Sequence, residues 1–175
     1  MKRTITTALF ALVPTLLGGA LIIGSNRARS MKRKLSKNGA DLIKSYEGLR
    51  LESYQDQGGV WTIGYGHTGG VYANQRISLE EAERLFDADI AKFVSGVNSK
   101  TYDVNLSQSQ FDALVSFAYN VGLGNFGSST LLKEVRKNPN SQAVAEQFRR
   151  WVYVKSAYNQ GLANRREKEI KLYYA

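Results

Sequence analysis

The chain has no cysteine and a single histidine, His67. Without cysteine there is no disulfide framework, no thiolate nucleophile, no zinc–thiolate site and no thiol–disulfide switch. One imidazole without thiolates is too few ligands for a transition-metal site, so neither a metal nor a cofactor is expected. Acidic residues are missing from positions 1–40, which carry eight basic ones: Lys2, Arg3, Arg27, Arg29, Lys32, Arg33, Lys34 and Lys37. Internal repeats and low-complexity tracts are absent too. The glycine-rich GLGNFGSS has neither a GK[ST] nor a GxGxxG pattern, which disfavours a phosphate loop and predicts a tight helix–helix turn.

At 175 residues the chain has room for one domain plus an appendage. Its 10 Tyr, 7 Phe and 2 Trp can support a core. The net charge of +9 looks like a nucleic-acid signal until its distribution is followed. Residues 41–175 hold sixteen basic against fifteen acidic side chains, so the body is almost neutral and no nucleic-acid partner is expected. The excess flanks one uncharged stretch, which points instead to an anionic membrane surface.

That stretch is Ile5–Gly24, ITTALFALVPTLLGGALIIG. Twenty helical residues span roughly 30 Å, the thickness of a bilayer's hydrocarbon core. Pro14, Thr6, Thr7, Thr15, Gly18, Gly19 and Gly24 make it a weak span, since each lowers helix propensity or apolar area. A cleaved signal peptide, a permanent anchor and an anchor that later leaves the bilayer are all compatible with it. The basic flank after the span outweighs Lys2 and Arg3 before it, which by the positive-inside rule favours a cytoplasmic body and opposes export. Residues 25–35 read as a polar, basic linker, and the globular domain is expected over 36–175.

In the body, Ser36 caps a helix running to Glu47, and Gly48 suits its C-terminal cap. LRLESY and VWTIGYGH are short β-rich runs joined by the turn residues DQGG, and VYAN is placed at the start of a third strand. The rest is helical. SLEE (Ser78, Glu81) and Ser107 with Gln110 read as capping boxes. Helices are predicted from Leu79 past Val97, from Phe111 to Gly122, and over 129–137, 141–153 and 162–173. The class is α+β and mainly helical, with a small antiparallel sheet.

The chemistry concentrates in EGLRLESYQDQGGVWTIGYGH, Glu47 to His67. Glycoside hydrolysis needs one carboxylic acid to protonate the leaving oxygen and a second carboxylate on the other side of the sugar ring. The acid must stay protonated near neutral pH, so it wants surroundings that penalise its charge. Glu47, at a helix end against a small sheet, fits that role. Asp56, beside a flexible turn, fits the ionised partner. Thr62, on the next strand, offers a hydroxyl to hold water. His67 is expected to be structural and paired to a carboxylate. Tyr65 and Trp61 are candidates to stack on sugar, with core packing an equal prospect for Trp61.

Glu47, Asp56 and Thr62 at these spacings closely resemble the catalytic signature of the phage-type lysozymes, glycoside hydrolase family 24. The resemblance continues through FDALVSFAYNVGLGNFGSSTLL (111–132) and GLANRREKE (161–169), covering roughly residues 36–175. It implies a lysozyme-like fold, a sheet-bearing lobe and a helical lobe with the glycan between them. It implies Glu47 as general acid, Asp56 as the carboxylate that activates water, and Thr62 as the hydroxyl assisting it. The implied substrate is the β-1,4 bond between N-acetylmuramic acid and N-acetylglucosamine in peptidoglycan. Asn120, Gly122, Asn125 and Ser128 fall where the family's helical lobe faces the cleft, as weak candidates for glycan hydrogen bonds. The apolar start resembles that of signal-anchor-release endolysins. This implies a monomer exported across the inner membrane, tethered by residues 5–24 and active in the periplasm after release, with a functional link to a holin or pinholin.

Overall fold

The computed structural model describes residues 32–56 and 58–175. Ser36 begins the first helix, α1 (Lys37–Glu47), its hydroxyl accepting from Gly39 N. Gly39 is required by close approach: a Cβ there would stand 2.7 Å from Asp112 Cβ and from Leu35 Cδ1. Gly48 ends the helix at a φ of 71°, its N–H donating to Lys44 O, as the sequence predicts. The expected tether lies on the body where it is described. Arg33 N donates to Asn98 Oδ1, Asn98 Nδ2 donates back to Arg33 O, and Arg33 Nη2 donates to Leu106 O.

β1 (Arg50–Gln55) and β2 (Trp61–Gly64) pair antiparallel, with Tyr54 opposite Thr62 and an irregularity between Arg50 and Tyr54. The third pairing forms later than VYAN suggested. Asn74, at a φ of 60°, belongs to a turn, and the ladder resumes where Ser53 N donates to Gln75 O and Ile77 N to Leu51 O. Polar and turn chemistry at 72–75 overrides the β-propensity of Val71 and Tyr72.

α2 (Leu79–Lys100) starts at Ser78, which accepts from Glu81 N. Glu81 does not return the bond expected of a capping box; it pairs with Arg84 one turn on. α3 (Gln108–Val121) carries the full box between Ser107 and Gln110. It is the axis of the fold: every residue from Gln110 to Ala118 is buried. The helices α4 (Leu123–Ser128), α5 (Thr130–Lys137), α6 (Ala143–Arg149) and α7 (Gln160–Tyr173) add to the core around it, while β3 (Tyr153–Val154) and β4 (Ala157–Tyr158) form an exposed hairpin between α6 and α7. Phe117 of α3 meets the edges or faces of Phe126, Phe148 and Trp151 at 5.3–6.3 Å between ring centroids. Each fully buried aromatic of this kind stabilises the fold by about 1.5–3 kcal/mol.

Two further expectations need correction. GLGNFGSS is not a bare turn: Phe126 is drawn into the core and Leu123–Ser128 closes as a short helix. The helix predicted over 141–153 stops at Arg149, because Trp151 turns in to meet Phe117 and a two-residue hairpin follows. The apolar helix expected at residues 5–24 lies outside the described residues. Among the described residues no helix is long and apolar enough to cross a membrane.

Candidate active site

Glu47 is the last residue of α1, where helix and hairpin meet. Its Oε1 accepts from Arg165 Nη1 at 3.1 Å, and its side chain keeps 25% of its exposure. Arg165 comes from α7 and is itself buried. Its Nε donates to Glu169 Oε1 (3.2 Å) and its Nη2 to Ser116 O (3.3 Å), while the guanidinium lies 4.5 Å from the Tyr46 ring centroid. Arg166 continues the cluster. Its Nη2 donates to Asn120 Oδ1 at 2.8 Å, and its Nε stands 2.9 Å from Glu169 Oε2, close enough for an ion pair but misaligned for a hydrogen bond. Burial pushes the Glu169 carboxyl up, with Arg166 and then Arg165 opposing it. A charge so enclosed persists only because it is paired. One wall of the pocket around Glu47 is thus the Arg165 guanidinium.

On the hairpin, Asp56 and Thr62 are locked together through one residue, Val60. Asp56 Oδ1 accepts from Val60 N (2.9 Å) and from Gly58 N (2.8 Å). Val60 O accepts from Asp56 N (3.0 Å) and from Thr62 Oγ1 (3.0 Å). Asp56 is exposed, whereas Thr62 is buried. With its proton committed to Val60 O, the Thr62 hydroxyl keeps its lone pairs for accepting.

β2 leads into a tight turn, Gly64–Tyr65–Gly66, closed by reciprocal backbone bonds between Ile63 and His67 at 2.9 Å. Gly66, at a φ of 92°, passes beneath the acid: a Cβ there would stand 4.0 Å from Glu47 Oε2. Such a φ strains any residue with a side chain. His67 pairs with a carboxylate, that of Asp89, with Nδ1 2.8 Å from Oδ2 and Nε2 2.9 Å from Gly69 O. Gly66, His67, Thr68, Gly69, Asp89, Lys92, Phe93 and Tyr119 line a cavity of about 440 Å³. A larger one, about 730 Å³, lies between Lys32–Leu35 and α2 and includes none of the predicted site residues. The smaller one, which adjoins the acid through Gly66, is the candidate cleft; Glu47, Asp56 and Thr62 do not line it.

The other predicted residues divide. Tyr65 does not present a free ring: it packs edge-on to Phe86 at 5.6 Å and donates its hydroxyl to Glu83 Oε1 at 2.9 Å. Trp61 is half-buried on β2. Asn120 is occupied by Arg166. Asn125 and Ser128 donate to carbonyls of Val121, Gly124 and Asn125 along α4. Gly122, at a φ of 86°, turns the chain from α3 into α4. Sequence reasoning missed Arg165, Asp89, Glu83 and Lys44 as neighbours of the site. Tyr119, on α3, lines the cleft, and burial, followed by the charge of Glu47, pushes its hydroxyl up to about 12.

A hairpin lobe and a helical bundle meeting at a carboxylate, beside a cleft, is a lysozyme-like architecture. Residues 44–169 match the family described as Phage lysozyme. The chain is 47% identical over 142 residues to an endolysin of Bacillus phage B103, covering 79% of this chain and 53% of that protein. It is 36% identical over 124 residues to a SAR-endolysin of Bacteriophage PS119, covering 70% and 73% respectively. Among solved structures, it resembles the muramidase domain of SpmX from Asticaccaulis excentricus, with a TM-score of 0.75 and 35% identity over 82% of this chain and 99% of that one. The chain belongs to the phage lysozyme family. It spans about half the length of the Bacillus phage endolysins it matches.

Proposed function

We propose that this chain is an endolysin, a muramidase that hydrolyses the β-1,4 bond between N-acetylmuramic acid and N-acetylglucosamine in peptidoglycan and so lyses the bacterial host. What supports the proposal is the Glu47 carboxyl standing over Gly66, a residue that lines the cavity, with Asp56 and Thr62 locked on the adjoining hairpin through Val60. In this reading Glu47 protonates the leaving oxygen. Asp56 uses the carboxylate oxygen not engaged with Val60 to orient and activate water, and the Thr62 lone pairs hold that water. Asn120, Gly122, Asn125 and Ser128 keep the weaker role of contacting glycan from the helical lobe.

Release of reducing ends from purified peptidoglycan tests the reading. Steady release is expected. A protein that binds the polymer and releases none is a binding module of the same fold, and that result would contradict the proposal.

We further propose that residues 5–24 hold the protein inactive at the inner membrane, facing the periplasm, until the segment leaves the bilayer, in step with holin or pinholin action. The uncharged twenty-residue run with its glycine, threonine and proline content supports this, as does the likeness to SAR-endolysins. An intact N-terminus is expected on sequencing the mature protein, with membrane fractionation before depolarisation and soluble recovery after it. A mature start near Ser30 would mean a cleaved signal peptide instead.

A further inference from the structure

Glu83 of α2 joins three elements at one carboxylate. Its Oε2 pairs with Lys44 Nζ of α1, three residues before Glu47. Its Oε1 accepts from the hydroxyl of Tyr65, in the middle of the Gly64–Gly66 turn. Lys44 is held in place as well as paired. Its ammonium lies 4.7 Å from the Phe86 ring centroid and 5.2 Å from that of Tyr65, and its side chain is 17% exposed. Its carbonyl also closes the last turn of α1 by accepting from Gly48 N. Lys44 and Tyr65 thus flank the two features that meet at the site, the end of α1 and the turn beneath it.

The turn has a second anchor on the same helix, the contact between His67 and Asp89. Gly66 lies between the two anchored residues, under Glu47 Oε2. Glycine gives the chain freedom at Gly64 and Gly66, with φ of 67° and 92°, so the turn's position has to be fixed from outside. The Asp89 contact fixes one end. The Glu83 contact ties the turn to α1 by polar bonds to Lys44 and Tyr65 at once, beside the Phe86 ring that both also touch.

We propose that Glu83 is a positioning residue: by holding Lys44 and Tyr65 together it sets the height of the Gly66 turn against the Glu47 carboxyl. The inference rests on the reading of Glu47 as the general acid. Misplacement of a reacting group by about 1 Å can cost on the order of a hundredfold in rate, so a clasp one residue from the contact has catalytic leverage.

The test uses the full chain and soluble peptidoglycan fragments of defined length. Three variants are compared: Glu83→Ala, Glu83→Gln and Tyr65→Phe. Glu83→Ala should lower kcat about tenfold or more with KM within about twofold, because alignment rather than affinity is lost. It should also move the limb of the kcat/KM pH profile that reports the catalytic acid. Glu83→Gln keeps an acceptor for Tyr65 but loses the charge facing Lys44, so it should fall between Glu83→Ala and the parent. Tyr65→Phe should lower kcat by a few fold while the protein stays folded. A purely structural Glu83 would change the unfolding midpoint and leave kcat per folded molecule and the pH profile untouched, and that result would overturn the proposal. If Glu83→Ala does not fold, Glu83→Gln and Tyr65→Phe decide the matter by the same readouts. Glu47→Gln is run alongside. Activity in Glu47→Gln would mean that the acid itself is misassigned. An inactive Glu47→Gln with parental kinetics in every Glu83 and Tyr65 variant would remove the positioning role alone.

Discussion

Arg165 Nη1 donates to Glu47 Oε1 at 3.1 Å, tying the C-terminal helix to the last residue of the first. The two lie 118 residues apart in the chain. Arg165 also holds Glu169 and Ser116 O, so the site carboxyl is one end of a buried ionic cluster that packs α7 on α3. Replacing Arg165 by Met leaves Glu169 buried with one guanidinium fewer. The expected loss is about 3–5 kcal/mol, the usual range when one partner of a buried pair is removed. Denaturant unfolding measures it, and the same variant should lose activity even where it is folded.

Asp56→Asn keeps an oxygen that can accept from Val60 N and Gly58 N, so the hairpin turn should survive. Activity should nevertheless fall by about two to four orders of magnitude, the usual worth of a positioned acid–base group. Thr62→Ser should retain most activity and Thr62→Ala little. Circular dichroism beside a turbidity assay on cell walls separates folding from chemistry. Equal activity in Thr62→Ser and Thr62→Ala would remove Thr62 from the water site.

His67 and Asp89 predict a contrast with that pair. Asp89→Asn keeps a hydrogen-bond partner for His67 but loses the charge, whereas Asp89→Ala leaves the ring nitrogen unsatisfied. The latter should cost about 1–3 kcal/mol of stability, with activity per folded molecule reduced far less than in the Asp56 or Glu47 variants. Thermal unfolding and specific activity, measured on the same samples, check both halves.

How much of this was legible in the sequence differs from element to element. Ser36, Ser107 and Gly48 declared their caps because caps are local chemistry, readable over four residues. The Asp56-to-Thr62 hairpin was legible for the same reason. Asp89 as the partner of His67 was not, because the contact spans 22 residues and depends on which face α2 turns to the hairpin. Glu83 was invisible on similar grounds: nothing in the helical pattern of α2 singles it out, and only packing shows that it meets Lys44 and Tyr65. The helix 141–153 failed because hydrophobic periodicity cannot tell Trp151 continuing a helix from Trp151 turning into a core.

The Glu83 contact carries a pH dependence. Lys44 beside it holds its carboxyl below the usual carboxylate range, with Tyr65 adding to the effect. A carboxyl depressed in the folded state binds fewer protons there than in the unfolded chain. Stability from this group is therefore fully present above about pH 4.5 and is lost as pH falls through the lower folded value. The acid limb of stability should be shallower in Glu83→Gln than in the parent. Unfolding midpoints from pH 6 down to about pH 3 measure the difference, and parallel limbs would contradict it.

The most direct test of the whole account is Glu47→Gln on purified peptidoglycan, with reducing ends counted and unfolding measured in parallel. Gln keeps the shape of the side chain and an oxygen for Arg165 but has no proton to give a leaving sugar oxygen. A folded protein that releases no reducing ends above background is expected. A folded Glu47→Gln that releases them at the parent's rate would contradict the account.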